Sequence, residues 1–305
     1  MNTVIVGMGA LGLLFGGKIA ENAGNDHTYF LMDSDRYERH SRDIYMINGR
    51  VRRFNLADAN SPGSVPFPEA DLAIIATKYG GLEDAISMLR PYIGGETVII
   101  SLLNGIISED MIAGTYNRDN IIDCVPIGMD AMRDGCSVNY TQEGRLQVGI
   151  RQPSQKKSYD RLISFFDKGK VPYEAVSDIR HAMWNKFMIN VGINQTCMVY
   201  ETTYAGAFES PEASSSLKGA MEEVIELAAC EGVKLTREDY DNDMKILHGL
   251  KPDGYPSMRQ DAVAKRYSEV ELFAGSVLRL AKKHGIETPV NRRYYDAIKE
   301  IESAY

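Results

Sequence analysis

The strongest constraint on this chain lies in its first eighteen residues. The apolar run Val4-Ile5-Val6 passes directly into Gly7-Met8-Gly9-Ala10-Leu11-Gly12 and then into Leu13-Leu14-Phe15-Gly16-Gly17-Lys18. This reads as a buried strand, a Gly-x-Gly-x-x-Gly turn and the start of a helix. In a dinucleotide fold the first glycine permits the tight turn, the second lets the backbone approach a pyrophosphate, and the third lets helix and strand pack closely. The phosphates would rest on free N–H groups at the positive end of the helix.

A chain of 305 residues exceeds one ordinary core and suits two domains. A net charge of −8 argues against broad nucleic-acid binding, which needs clustered Lys and Arg. The wide spacing of Cys124, Cys136, Cys197 and Cys230, without a Cys-x-x-Cys pair or a metal-ligand pattern, suggests reduced thiols in a cytoplasmic protein and no metal. The apolar start lacks the basic n-region of a signal peptide and carries five glycines in its first twenty residues. No stretch of about 18 apolar residues predicts a membrane span.

Along the chain, Thr28–Met32 predicts a second strand ending at Asp33. An acidic side chain at this distance from the glycine turn accepts hydrogen bonds from the ribose hydroxyls of NAD and repels the 2′-phosphate of NADP. Arg36 and Arg39 follow and could grip such a phosphate instead. Asp33 or Ser34 reads equally as the cap of the next turn. Asn48 to Pro68, with Pro62, Pro66 and Pro68, predicts short antiparallel strands or loop. Leu72–Ala76 and Thr97–Ser101 predict further strands, with a helix from about Gly81 to Leu89 between them. Lys78 and Asn104 follow the carboxyl ends of these two strands, where doubly wound sheets bind ligands. Strands are also expected at 121–125, 145–149 and 173–176, a turn within 139–144 and a helix at 159–166. From Asp178 onward helical periods dominate, interrupted at Pro211, Lys251 to Pro256 and Gly285 to Pro289. The expected organisation is therefore a Rossmann-type doubly wound α/β domain over 1–177 and an all-helical domain over 178–305.

The first helix of the second part carries Lys186, Asn190 and Asn194 at i, i+4 and i+8, on one face among Phe187, Met188 and Val191. Leaving such polar groups buried and unsatisfied costs about 1–3 kcal/mol each, so they need partners. A ligand is one candidate; carbonyls of the first domain are another, with Lys186 reaching solvent along its apolar stem. Beside a nucleotide site, a lysine can give the proton that hydride transfer to a carbonyl requires, most efficiently when burial lowers its ordinary pKa of about 10.4.

With these residues in place the chain resembles the ketopantoate reductase (2-dehydropantoate 2-reductase) family over nearly its whole length. The resemblance rests on Gly-Met-Gly-Ala-Leu-Gly, Thr77-Lys78, Leu103-Asn104-Gly105, Trp184-Asn185-Lys186 with Asn190 and Asn194, Pro256-Ser257-Met258-Arg259-Gln260-Asp261, and Ser268-Glu269. It implies NADPH-dependent reduction of a small 2-oxo acid, ketopantoate to pantoate in pantothenate biosynthesis, with NAD as the alternative cofactor. Lys186 would be the general acid, with Glu269 beside it and the substrate hydroxyl. Asn190, Asn194 and Ser257 would hold the substrate's polar groups. Gly7 to Gly12, Asp33, Arg36, Lys78 and Asn104 would serve the cofactor, the last two near the nicotinamide. A homodimer is compatible with this reading.

Local alternatives stand beside these roles. Ser257 with Gln260 forms a capping-box pattern. Glu269 lies four residues after Lys265, the spacing of a surface ion pair. Asn104-Gly105 reads also as a plain turn, and Lys78 as a solvated strand end. The chain departs from the family at Gly254 and Ala274, where asparagines are common, and at Asp33, where an arginine is. Other readings are a related two-domain dehydrogenase for a hydroxy acid or polyol phosphate, and a non-catalytic NAD(P)-binding regulator.

Overall fold

The computed structural model describes residues 1–61 and 63–305, so Pro62 lies outside the described residues. The chain divides into two compact units: Met1–Asn104 with Ser108–Ile179, and Gly105–Ile107 with Arg180–Tyr305.

In the first unit, β1 (Thr3–Val6) is buried along its length and leads through the glycine turn into α1 (Ala10–Ala23). There follow β2 (Thr28–Met32), α2 (Ser34–His40), β3 (Tyr45–Ile47), β4 (Arg50–Arg52), β5 (Asn55–Asp58), β6 (Leu72–Ile75), α3 (Leu82–Leu89), β7 (Val98–Ser101) and α4 (Ser108–Ala113). Five of these strands make a parallel sheet in the order β5-β2-β1-β6-β7. Side chains alternate across it, as strand geometry requires. Ile5, Phe30, Ile74 and Ile100 pack with Leu13, Leu14 and Phe15 of α1 on one face. Val4, Leu31, Ala73 and Ile99 pack with Leu82, Ala85 and Leu89 of α3 on the other. Burial on both faces explains why these strands are continuous apolar runs. Val6 is in register with Leu31 and Ile75, and Ile75 with Ser101. The segments after Val6, Ile75 and Ser101 therefore emerge together at the carboxyl edge of the sheet.

The unit continues with β8 (Asp123–Met129), β9 (Met132–Asp134), β10 (Ser137–Asn139), β11 (Glu143–Gly149), α5 (Lys156–Gly169) and β12 (Tyr173–Ala175). These strands form a three-stranded sheet, β12-β11-β8, and, with β3 and β4, a four-stranded one, β4-β3-β10-β9.

Two sequence expectations need correction. Within 48–68, β3 and β4 do form an antiparallel hairpin about Asn48 and Gly49, both at positive φ as a primed two-residue turn demands. The next strand, β5, instead pairs parallel with β2 at the sheet edge. Its four residues begin and end in polar side chains, so they lack the apolar run of a buried strand. The strand expected at 121–125 starts at Asp123, because Ile121 instead makes a lone parallel bridge to Ile99 before the chain enters the second sheet.

The second unit is helical: α6 (Ile179–Val199, its first residue counted with the first unit), α7 (Gly206–Glu209), α8 (Pro211–Cys230), α9 (Arg237–His248), α10 (Ser257–Val263), α11 (Ala274–His284) and α12 (Pro289–Glu302). Pro211 and Pro289 open their helices, where proline's missing N–H costs nothing. Buried Glu223 of α8 accepts the N–H groups of Val290 and Asn291 at 2.7 and 3.0 Å and so caps α12. Buried Gln195 ties α6 to the start of α11 through the Ala274 N–H at 3.1 Å, and to α12 through Asn291 at 3.0 Å. Among the described residues no helix is long and apolar enough to cross a membrane.

Candidate active site

The glycine turn is forced by its surroundings at two positions. Gly7 has φ +109°, and a Cβ there would lie 2.4 Å from the Ala76 carbonyl. A Cβ on Gly12 would lie 2.1 Å from the Gly7 oxygen. Gly9 is different: its nearest neighbour would be at 3.7 Å, an ordinary contact, so the protein itself does not exclude a side chain there. It takes the N-cap place of α1 without any side-chain cap, leaving the first N–H groups of Ala10, Leu11 and Gly12 to an outside acceptor. The Met8 carbonyl accepts from the guanidinium of Arg133 on β9, and the Tyr45 hydroxyl reaches the Met8 sulfur at 3.7 Å. Nothing local in the sequence signals Arg133, which lies 125 residues from Met8.

Asp33 does cap α2. Its Oδ1 accepts from the Arg36 N–H at 2.8 Å, and its Oδ2 lies 3.4 Å from Arg36 Nε. Both side chains are substantially exposed, so the ion pair contributes about 0–1 kcal/mol and a bound polar group can compete for either partner. Arg39 is turned to the Asp35 carbonyl at 3.1 Å. Beyond β6, exposed Lys78 follows Thr77, whose hydroxyl oxygen is buried without a hydrogen-bond partner. The sequence pattern includes Thr77 beside Lys78 but gives it no role, because a lone threonine carries no chemical signature. Half-buried Asn104 follows β7 and precedes Gly105 at φ +92°, so the turn reading and a ligand role are compatible. The open space at Gly9, the uncapped α1 and the orphaned Thr77 oxygen fit a dinucleotide along this edge.

In the second unit, Lys186, Asn190 and Asn194 lie on uninterrupted α6, the first two half-buried and Asn194 only 4% exposed. Asn194 Oδ1 accepts from Ser257 Oγ at 3.1 Å and from the Met258 N–H at 3.2 Å. Its Nδ2 donates to Asn190 Oδ1 at 3.2 Å. The structure thus joins Asn190, Asn194 and Ser257 in one chain of hydrogen bonds. The capping-box alternative for Ser257 and Gln260 does not form. Ser257 is the first helical residue, Pro256 precedes it as an N-cap without a side-chain bond, and Gln260 donates to the Tyr255 carbonyl at 3.2 Å. Glu269 is half-buried in the turn between α10 and α11, held by Ser268, whose N–H and hydroxyl both donate to Glu302 at 2.7 and 2.6 Å. No helix spans Lys265 and Glu269, so the helical i,i+4 geometry is absent.

Chemically, the chain of hydrogen bonds leaves the Asn190 NH2 as a donor on the α6 face that bears Lys186, and the Ser257 oxygen as an acceptor at the start of α10. A small molecule with an acidic and a hydroxyl or carbonyl group suits such a set. At Gly254 a Cβ would lie 3.3 Å from the Tyr204 ring, and the Tyr204 N–H donates to the Gly254 carbonyl at 2.8 Å. With the Lys251 carbonyl 3.1 Å from the same Cβ, a larger residue there requires its neighbours to give by a few tenths of an ångström. Ala274 is fully buried, with its N–H spent on Gln195.

A parallel doubly wound sheet with a glycine turn, joined to a helical unit bearing a lysine and amides on one face, defines a two-part protein of the dinucleotide-dependent oxidoreductase type. Comparison with known proteins gives the particular family. The model for "Ketopantoate reductase PanE/ApbA" matches residues 3–153, and that for its C-terminal part residues 178–302. The chain belongs to the ketopantoate reductase family. A 2-dehydropantoate 2-reductase of Streptococcus pyogenes is 26% identical over 313 residues, covering 99% of this chain and 98% of the relative. Among solved structures, D-mandelate dehydrogenase with NADH and anilino(oxo)acetate superposes with a TM-score of 0.86 at 20% identity, covering 100% and 99% of the two chains. Dimeric ketopantoate reductase from Staphylococcus aureus does so with a TM-score of 0.81 at 19% identity, with the same coverage.

Proposed function

We propose that this protein reduces the carbonyl of a small 2-oxo acid, ketopantoate first among them, with NADPH as cofactor and Lys186 as general acid. The observation that carries the reading is the hydrogen-bonded Asn190–Asn194–Ser257 chain on the helix that bears Lys186. When bound, the nicotinamide cofactor would supply the hydride for the carbonyl carbon. The Lys186 ammonium gives its proton to the carbonyl oxygen as that oxygen gains the electron pair of the broken π bond. Asn190 donates to the substrate carboxylate, and Ser257 accepts from its hydroxyl. Glu269 takes the place beside Lys186 and holds its charge. Gly7 to Gly12 receive the pyrophosphate on α1, and Thr77, Lys78 and Asn104 serve the nicotinamide end. Arg36 meets the 2′-phosphate, a role supported by its place at α2 and by the engagement of Asp33 in the cap.

The test is a panel of 2-oxo acids, ketopantoate and aromatic members included, followed by cofactor oxidation with NADPH and NADH. Turnover of one branched or aromatic 2-oxo acid well above the others is expected. Tight cofactor binding with no turnover across the panel overturns the reading in favour of a regulator.

A further inference from the structure

Asn185, the residue before Lys186, points its amide to a second helix. Its Nδ2 donates to Oδ1 of Asp243 on α9 at 3.0 Å. Asp243 is 1% exposed and lies on the buried stripe of α9 with Tyr240 and Leu247. The two remaining oxygens, Asn185 Oδ1 and Asp243 Oδ2, are both buried and both lack a hydrogen-bond partner. Two orphaned acceptors on side chains already joined by one hydrogen bond are one proton short of complete pairing. An ionised Asp243 would leave a buried charged oxygen and a buried carbonyl oxygen both without a donor, a costly arrangement. A carboxylic acid supplies the missing proton.

We propose that Asp243 in its acid form donates to Asn185 Oδ1 while accepting from Asn185 Nδ2. The resulting ring of two hydrogen bonds is a clasp that fixes the rotation of α6 and so positions Lys186. Asp243 is a positioning residue in this account; it does not touch the substrate. Burial is the largest influence on its carboxyl, pushing it up to about 7. The Asn185 hydrogen bond draws it down, Asp239 one turn earlier on α9 raises it, and His181 one turn earlier on α6 lowers it. His181 and Asp239 themselves pair at 3.2 Å, and Glu222 of α8 acts on neighbouring Tyr240. The clasp is therefore closed at mildly acidic pH and opens as pH rises through neutrality.

The effect on Lys186 rests on the reductase reading; the clasp itself does not, and the experiment separates them. In D243N the amide NH2 replaces the acid hydroxyl, donates to the same Asn185 oxygen and does not titrate. The ratio of kcat for D243N to kcat for the wild type cancels the titration of Lys186. It is expected to rise at least about threefold between roughly pH 6 and 8.5. N185L, which can make neither hydrogen bond, is expected to lower kcat across that range with cofactor affinity unchanged. The second readout is the carboxyl resonance of Asp243 in 13C-labelled protein, assigned by its absence in D243N, which should titrate near neutrality. Titration below about pH 5 overturns the clasp. A neutral titration with a flat kcat ratio overturns its positioning of Lys186. If no 2-oxo acid is turned over, the resonance alone decides whether the clasp exists.

Discussion

Asn194 caps a helix to which it does not belong: its side-chain oxygen holds Ser257 Oγ at 3.1 Å and the Met258 N–H at 3.2 Å, at the otherwise uncapped start of α10. The same side chain orients Asn190. Of two amides a turn apart, one is spent on the fold and the other is the one the proposed reading assigns to the substrate. N194A should therefore cost about 1–2 kcal/mol in urea unfolding through the lost cap and an unsatisfied buried N–H. N190A leaves the cap in place and removes only the acceptor of Asn194 Nδ2, so it should cost less than N194A while raising KM for the substrate. Equal stability losses in the two variants would refute this division.

Lys186 is assigned the chemical step. K186A is expected to lower kcat by about 10²–10⁴-fold, with the cofactor dissociation constant unchanged within about twofold. K186R keeps the charge but holds its proton too firmly to donate it, so it should not rescue turnover. Near-wild-type kcat in either variant removes Lys186 from the mechanism.

What the sequence disclosed was what short spacing encodes. The Gly7–Gly12 turn, the apolar strands buried on both faces and the i, i+4, i+8 face of α6 are all visible within a few helical turns of chain. Contacts between distant residues were not. The Arg133 contact with Met8 and the bond between Asn194 and Ser257 join residues 125 and 63 positions apart. The Ser257–Gln260 pattern misled because it is local: it fits a capping box, yet the acceptor that meets the helix comes from α6. The parallel pairing of β5 was not legible because a four-residue edge strand with polar ends has no distinguishing period.

In the proposed reading the cofactor choice turns on two side chains 3.4 Å apart, Asp33 and Arg36. Asparagine caps helices about as well as aspartate, so D33N should leave α2 intact while removing the charge that repels a 2′-phosphate. It is expected to tighten NADPH relative to NADH. R36A should weaken NADPH by about tenfold or more, the loss of one charge-assisted hydrogen bond, and leave NADH within about twofold. Fluorescence titration of both reduced cofactors measures this. A wild-type preference of about tenfold for NADH that D33N reduces would show that the carboxylate serves the ribose, and a preference unmoved by D33N would remove Asp33 from the choice.

Stability should fall as pH rises across neutrality, because two buried acids hold protons that the unfolded chain releases. Glu109 of α4 is 1% exposed and accepts from Ser108 at 3.0 Å; burial, with Asp123 adding, pushes it up to about 8 from an ordinary value of 4.5. Asp243 rises to about 7 from 3.8. Between the unfolded and folded values the native state carries the extra proton, so unfolding free energy declines with pH, by at most about 1.4 kcal/mol per unit for each group. The slope belongs to the window from about pH 4 to 8 and vanishes above it. E109Q and D243N each remove one titrating group without changing shape, and each should flatten part of the decline. Asp123 is fully buried and pairs with Arg118 at 2.6 Å and with Arg151 at 2.5 Å. D123N should cost about 3–5 kcal/mol, since it removes a buried ion-pair partner from both Arg118 and Arg151. Melting temperatures of the three variants from pH 5 to 9 distinguish the cases, and a wild-type curve that rises with pH over this range would overturn the assignment of both protons.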